Sequence, residues 1–123
     1  MQQTNSEQTP YGINQVKALD VSDTFVKDRM VCIIDSGYDA VHQDLPSAAT
    51  GSVITGTEGG AGPWNIDKDG HGTHVAGTIA AVGGNGKGVL GVARNGELKL
   101  HIVRVFGDDG NWAWTSTLVK AVS

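Results

Sequence analysis

The chain has 123 residues, 39% of them hydrophobic and 18% charged, with a net charge of −4. This fits one compact domain and excludes a disordered polyelectrolyte, a bilayer span of roughly 20 apolar residues and an electrostatic nucleic-acid binder. The single cysteine, Cys32, excludes an intrachain disulfide and a multi-thiolate zinc site, and the 18 glycines predict frequent turns and close backbone approaches.

Residues 1–9 are polar and lack the apolar stretch of a secretory signal. Residues 10–19 space Tyr11, Ile13, Val16 and Leu19 at roughly helical intervals, behind a Pro10 suited to a first helical position. Residues 31–34 (VCII) are a continuous apolar run ending at the turn signal Asp35-Ser36-Gly37. They predict a strand buried on both faces of a parallel sheet, with Cys32 an inert small hydrophobe inside it. Residues 58–70 have loop composition. Residues 71–82 predict a helix whose inward stripe is His71, Val75, Ile79 and Val82, stopped by Gly83-Gly84-Asn85-Gly86. Residues 98–106 alternate and then turn apolar, as a strand entering a core does. Thr115 or Ser116 suits the cap of a last helix through Leu118 and Val119, with no stop signal before Ser123. Helices alternating with buried strands imply α/β layering around a parallel sheet.

This layout brings two chemical groups together. Asp35 ends a strand and His71 begins a helix, and ligands of open α/β sheets bind outside the carboxyl ends of strands. A carboxylate that accepts a hydrogen bond from one imidazole nitrogen fixes the tautomer and leaves the other nitrogen as a general base. It also offsets the penalty that a helix N-terminus places on an imidazolium. From spacing alone, the plainer reading prevails: Asp35 as a strand-end turn former and His71 as a helix cap.

The local sequences add to this. Val31-Cys32-Ile33-Ile34-Asp35-Ser36-Gly37, His42-Gln43-Asp44-Leu45 and Asp69-Gly70-His71-Gly72-Thr73-His74-Val75-Ala76-Gly77 closely resemble the subtilisin family of serine proteases. Pro10-Tyr11-Gly12-Ile13, Gly88-Val89-Leu90-Gly91-Val92-Ala93 and Val105-Phe106-Gly107-Asp108-Asp109-Gly110 look like the same family, in the same order. The resemblance runs from about residue 7 to the end. It implies the N-terminal portion of a doubly wound, mainly parallel sheet with helices on both faces, residues 1–123 being part of a single catalytic domain. It also implies a serine endopeptidase in which Asp35 orients His71, the general base, in the chain order Asp, His, Ser of subtilisin itself. Ser36 then follows the triad aspartate and His74 is structural.

The family's nucleophile lies far downstream in a Gly-Thr-Ser-Met-Ala type motif, and its oxyanion-hole asparagine also lies beyond residue 123. None of Ser6, Ser22, Ser36, Ser47, Ser52, Ser116 and Ser123 has that context. The expectation is a chain inactive alone and completed by a Ser-bearing C-terminal part, after division or nicking beyond Ser123; a truncated remnant is the other arrangement. The alternative from another class is an inactive peptide-binding or inhibitory module.

The resemblance further implies a substrate edge at Phe106, Gly110, Asn111, Trp112 and Trp114, where ordinary aromatic packing is the competing reading. It implies a structural calcium ion held by Glu7 (with Gln8 as its neighbouring alternative), Asp44 and Asn85, with carbonyls of Val82, Lys87 and Val89. Secretion and an inhibitory propeptide follow from the resemblance, with an intracellular relative as the alternative. Other metal signatures fail. Asp67-Lys68-Asp69 opens like an EF-hand loop, but Thr78 stands where a bidentate Glu belongs, and no Glu follows His71 as in zinc proteases.

Overall fold

The apolar run at 31–34 becomes strand β1 (Met30–Asp35) and the run at 98–106 becomes β3 (Lys99–Arg104). The two are parallel, with Ile33 opposite Ile102 and Asp35 opposite Arg104. The structure, a computed structural model, describes residues 6–108 and 115–123. A further strand, β2 (Ile54–Glu58), pairs in parallel with the other side of β3, giving the order β1-β3-β2. Sequence patterning did not single out this strand. Its centre is Gly56, whose missing side chain is filled by the Trp64 indole ring.

The helices are α1 (Tyr11–Gln15), α2 (His71–Ala80) and α3 (Thr115–Val122). The stretch predicted as one helix over 10–19 breaks at Lys17, which takes a left-handed φ of 59°, and resumes as a short 3-10 turn at Ala18–Asp20. Pro10 sits just outside α1 rather than at its first position, and only Ile13 of the four spaced apolar residues in that stretch is buried.

Two expectations are corrected. The buried line of α2 is Gly72, Ala76 and Ala80, not the stripe through His71, Val75 and Ile79. Small residues let the helix axis approach β1 closely, so the larger ones stand to the side. Strand β1 is buried by the described residues on one face only, where burial on both was expected. Val31, Ile33 and Asp35 share one face with Leu100 and Ile102 on β3, and α2 packs against that strand. The opposite face carries Cys32, which is exposed, beside His101 on β3. His101 pairs there with the Thr55 and Thr57 hydroxyls at 2.7 and 3.1 Å. Cys32 is therefore a surface thiol in the described structure.

The core joins Ile33, Leu45, Ala76, Ala80, Leu98, Leu100 and Ile102, with Val75 and Ile79 packed at its margin. Leu100 and Ile102 are both fully buried on the central strand. Each such side chain contributes roughly 1.5–3 kcal/mol relative to exposure.

The close helix–strand contact rests on glycine. A Cβ on Gly72 would overlap the Gly37 carbonyl oxygen and stand 3.2 Å from the Asp35 Cβ, whereas one on Gly77 meets only Leu45 Cδ2 at 4.0 Å. Gly72→Ala is therefore expected to cost about 1–3 kcal/mol by overpacking. Gly77→Ala is expected to gain up to about 1 kcal/mol from helix propensity. Denaturant unfolding of both variants checks the pair; equal effects would refute this reading of the contact.

Candidate active site

Asp35 closes β1 on the face covered by α2, and His71 is the first residue of α2. The imidazole Nδ1 lies 2.9 Å from both Asp35 carboxylate oxygens. A carboxylate can only accept, so Nδ1 carries the proton and Nε2 is the lone-pair nitrogen. Nε2 meets no hydrogen-bond partner among the described residues. The side chains differ in exposure, 13% for Asp35 and 70% for His71. The carboxylate is anchored while the imidazole faces outward.

The anchoring is local. The Ser36 backbone N–H donates to Asp35 Oδ1 at 2.7 Å, and the Ser36 hydroxyl donates to Asp67 Oδ1 at 2.8 Å. The same hydroxyl oxygen accepts the Gly72 N–H at 2.9 Å, which ties the first turn of α2 to the end of β1. Asp67 in turn accepts Gly70 N–H, Thr73 N–H and the Thr73 hydroxyl at 2.9, 2.8 and 2.5 Å. The residue before α2, Gly70, has no side chain to cap it, so the helix-start donors are shared out: Asp69 accepts the His71 N–H at 3.2 Å, Ser36 that of Gly72 and Asp67 that of Thr73. Burial alone would raise the Asp67 pKa, but the hydrogen bonds from Thr73, Gly70 and Ser36 outweigh it and hold the carboxyl below its ordinary 3.8. Sequence reading met Asp67 only as a failed EF-hand opening. An acid shortly before a helix that begins Gly-His-Gly-Thr was the available signal.

His71 titrates above its ordinary 6.5, chiefly through its hydrogen bond to Asp35 and then through that residue's charge, with Asp69 and Asp67 adding to it. Because the folded-state value is the higher one, this pairing favours the fold fully below about pH 6.5. The contribution is lost as pH rises through the folded value.

The residues expected to hold calcium also converge. Asp44 accepts Asn85 Nδ2–H at 2.7 Å and Val89 N–H at 2.9 Å, and its backbone carbonyl accepts Val82 N–H at 2.8 Å. Glu7 accepts Gly84 N–H at 3.2 Å, and Asn85 Oδ1 accepts Lys87 N–H at 3.1 Å. The strap at residues 6–8 is stitched to this loop by Ser6 Oγ to Gly86 and by Gln8 N–H to Gly88. A Cβ on Gly88 would overlap Asp44 Oδ2. Among the described residues no three of His, Cys, Asp or Glu are grouped to hold a metal. Any ion here relies on amide and carbonyl oxygens beside the carboxylates.

Phe106 is half-buried just beyond β3, while Gly110, Asn111, Trp112 and Trp114 lie outside the described residues. A groove of about 950 Å³ runs between α1, the 39–45 loop and α2, walled by Tyr11, Ile13, Val16, Leu45 and His74. Asp35 and His71 do not line it, although their neighbours Asp67, Gly70 and Thr73 do. No helix among the described residues is long and apolar enough to cross a membrane.

Comparison with known proteins gives a consistent set of matches. The model of the subtilase family matches residues 27–122. Subtilisin DY of Bacillus licheniformis is 38% identical over 113 residues, covering 90% of this chain and 38% of the relative. The major intracellular serine protease of Bacillus subtilis is 40% identical over 111 residues, covering 85% of this chain and 34% of the relative. The crystal structure of a psychrophilic subtilisin-like protease from Pseudoalteromonas sp. AS-11 superposes with a TM-score of 0.81 at 45% identity. It covers 95% of this chain and 26% of that one. The chain thus spans less than two fifths of the length of these proteins.

The geometry makes one solution measurement decisive. Asp35→Asn is expected to move the His71 pKa downward, read by an NMR titration of the imidazole carbons; an unmoved value would show that Asp35 does not set it.

Proposed function

The chain belongs to the subtilase family, and from that premise we propose that it supplies the Asp and His of an Asp-His-Ser triad in a serine endopeptidase. The observation that carries this is the Asp35–His71 pair, with Nδ1 held by the carboxylate and Nε2 turned outward. His71 takes the proton of a serine hydroxyl as that oxygen attacks a peptide carbonyl. It then gives the proton to the leaving amine, and Asp35 stabilises the imidazolium between the two steps. The serine belongs to a C-terminal part of the same catalytic domain, and a protein or peptide is the substrate. In this reading Phe106, Gly110, Asn111, Trp112 and Trp114 form the edge on which the substrate backbone lies, by strand addition. An inhibitory propeptide and secretion are proposed on resemblance alone. The Bacillus subtilis relative, intracellular by its name, is the precedent for the other location.

The test uses the complete protein that carries this chain. A fluorophosphonate probe is expected to label a serine outside residues 1–123. His71→Ala is expected to lower kcat by roughly 10⁶-fold and Asp35→Asn by roughly 10⁴-fold, magnitudes known from subtilisin itself and from a triad protease of unrelated fold. Labelling of the isolated chain would overturn this assignment. Binding of peptides without any labelling of the complete protein would favour a peptide-binding or inhibitory module.

The calcium reading is a second proposal. The donor set suits a hard cation: carboxylates from Glu7 and Asp44, the Asn85 amide oxygen once that group turns inward, and carbonyls of Val82, Lys87 and Val89. Such an ion would be structural, fastening the N-terminal strap to the loop. A chelator is expected to lower the melting temperature of the complete protein. The loss corresponds to about 2.7 kcal/mol when the ion was present at a hundred times its Kd. Calcium should restore it, and Asp44→Ala should abolish the difference; a melting temperature indifferent to chelator would exclude the site.

A further inference from the structure

Resting on the protease reading, we propose that Arg104 and Asp108 are positioning residues that hold the start of the substrate edge in register with the Asp35–His71 pair. Arg104 is the last residue of β3, opposite Asp35 on β1 and Glu58 on β2, and is only 1% exposed. A buried guanidinium is costly unless its donors are matched. Here Nε donates to the Phe106 carbonyl at 3.0 Å. Nη1 donates to the carbonyls of Pro63 and Ile66 at 2.9 and 3.2 Å, and Nη2 to Asp108 Oδ1 at 2.6 Å.

These acceptors belong to two different segments. Pro63 to Ile66 runs directly into Asp67 and the start of α2, where His71 sits. Phe106 to Asp108 leads into the stretch assigned to substrate. Asp108 repeats the link from its own side, accepting the Lys68 N–H at 3.4 Å while the Lys68 ammonium lies 3.9 Å away. The grip has little slack. The Ile66 carbonyl oxygen abuts Gly37, where a Cβ would overlap it, and a Cβ on Gly62 would come within 3.1 Å of Nη1. A lysine has no planar fork with which to hold backbone carbonyls on two sides and a carboxylate on a third. Neither side chain touches the reacting atoms. Their effect is to fix how far Phe106, where the edge begins, lies from the general base.

Arg104 is too buried to truncate cleanly, so the test falls on Asp108, whose side chain is 36% exposed. The complete protein and its Asp108→Ala and Asp108→Asn variants are assayed on two peptide amides. One is long enough to lie along the edge; the other carries only the residue before the scissile bond. Asp108→Ala is expected to lower kcat/KM on the long substrate by roughly 10- to 100-fold, mostly through KM, and to affect the short substrate far less. Asp108→Asn, which keeps an oxygen acceptor for Nη2, is expected to recover most of the loss. Equal losses on both substrates, or none on either, overturn the inference while leaving the protease reading intact. A parent protein that cleaves neither substrate overturns that reading and this inference with it.

Discussion

The contact between helix α2 and strand β1 is set by backbone meeting backbone. Gly72 lies against the Gly37 carbonyl where Asp35 ends one element and His71 begins the other, leaving no room there for a side chain on Gly72. The carboxylate–imidazole distance is therefore inherited from main-chain geometry rather than from the rotamers of long side chains. That is a stiff way to hold a proton-transfer pair, because moving it requires moving an element of the core. The small buried line Gly72, Ala76, Ala80 extends the same close approach along the helix.

Around this contact the polar groups form one connected system. The Ser36 hydroxyl donates to Asp67 and accepts from Gly72, while its own backbone N–H steadies Asp35. Asp69, Ser36 and Asp67 each take one orphan donor of the helix start, a task the capping position leaves undone because it is glycine. Charge is arranged with the same economy. The carboxylates of Asp35, Asp69 and Asp67 all favour the imidazolium, against the positive end of the helix that would disfavour it.

Much of this was legible in the sequence, and the parts that were not share a physical cause. The apolar runs of β1 and β3, the helix at 71–80 and the helix at 115–122 all announce themselves by periodicity and punctuation. Strand β2 does not, because Gly56 at its centre is filled by a tryptophan from a later loop, and a local pattern cannot register a side chain supplied from elsewhere. The inward face of α2 was misjudged for a related reason. Hydrophobic weight points to Val75 and Ile79, while the closest packing selects small residues, and only the tertiary partner reveals which consideration wins. Asp35 and His71 stood out because their surrounding motifs are local. Asp67 and Arg104 did not, since what makes each meaningful is a set of acceptors and donors gathered from other segments.

The strap at residues 6–8 has a consequence for how this fold tolerates change. Its bonds to Gly86 and Gly84 join positions separated by 80 and 77 residues. Closure entropy grows only logarithmically with loop length, about 0.6 kcal/mol for each doubling. Lengthening a surface turn anywhere between the two ends therefore scarcely loosens the clasp. The intervening loops are free to vary in length, while the 82–89 loop stays fastened to the start of the chain.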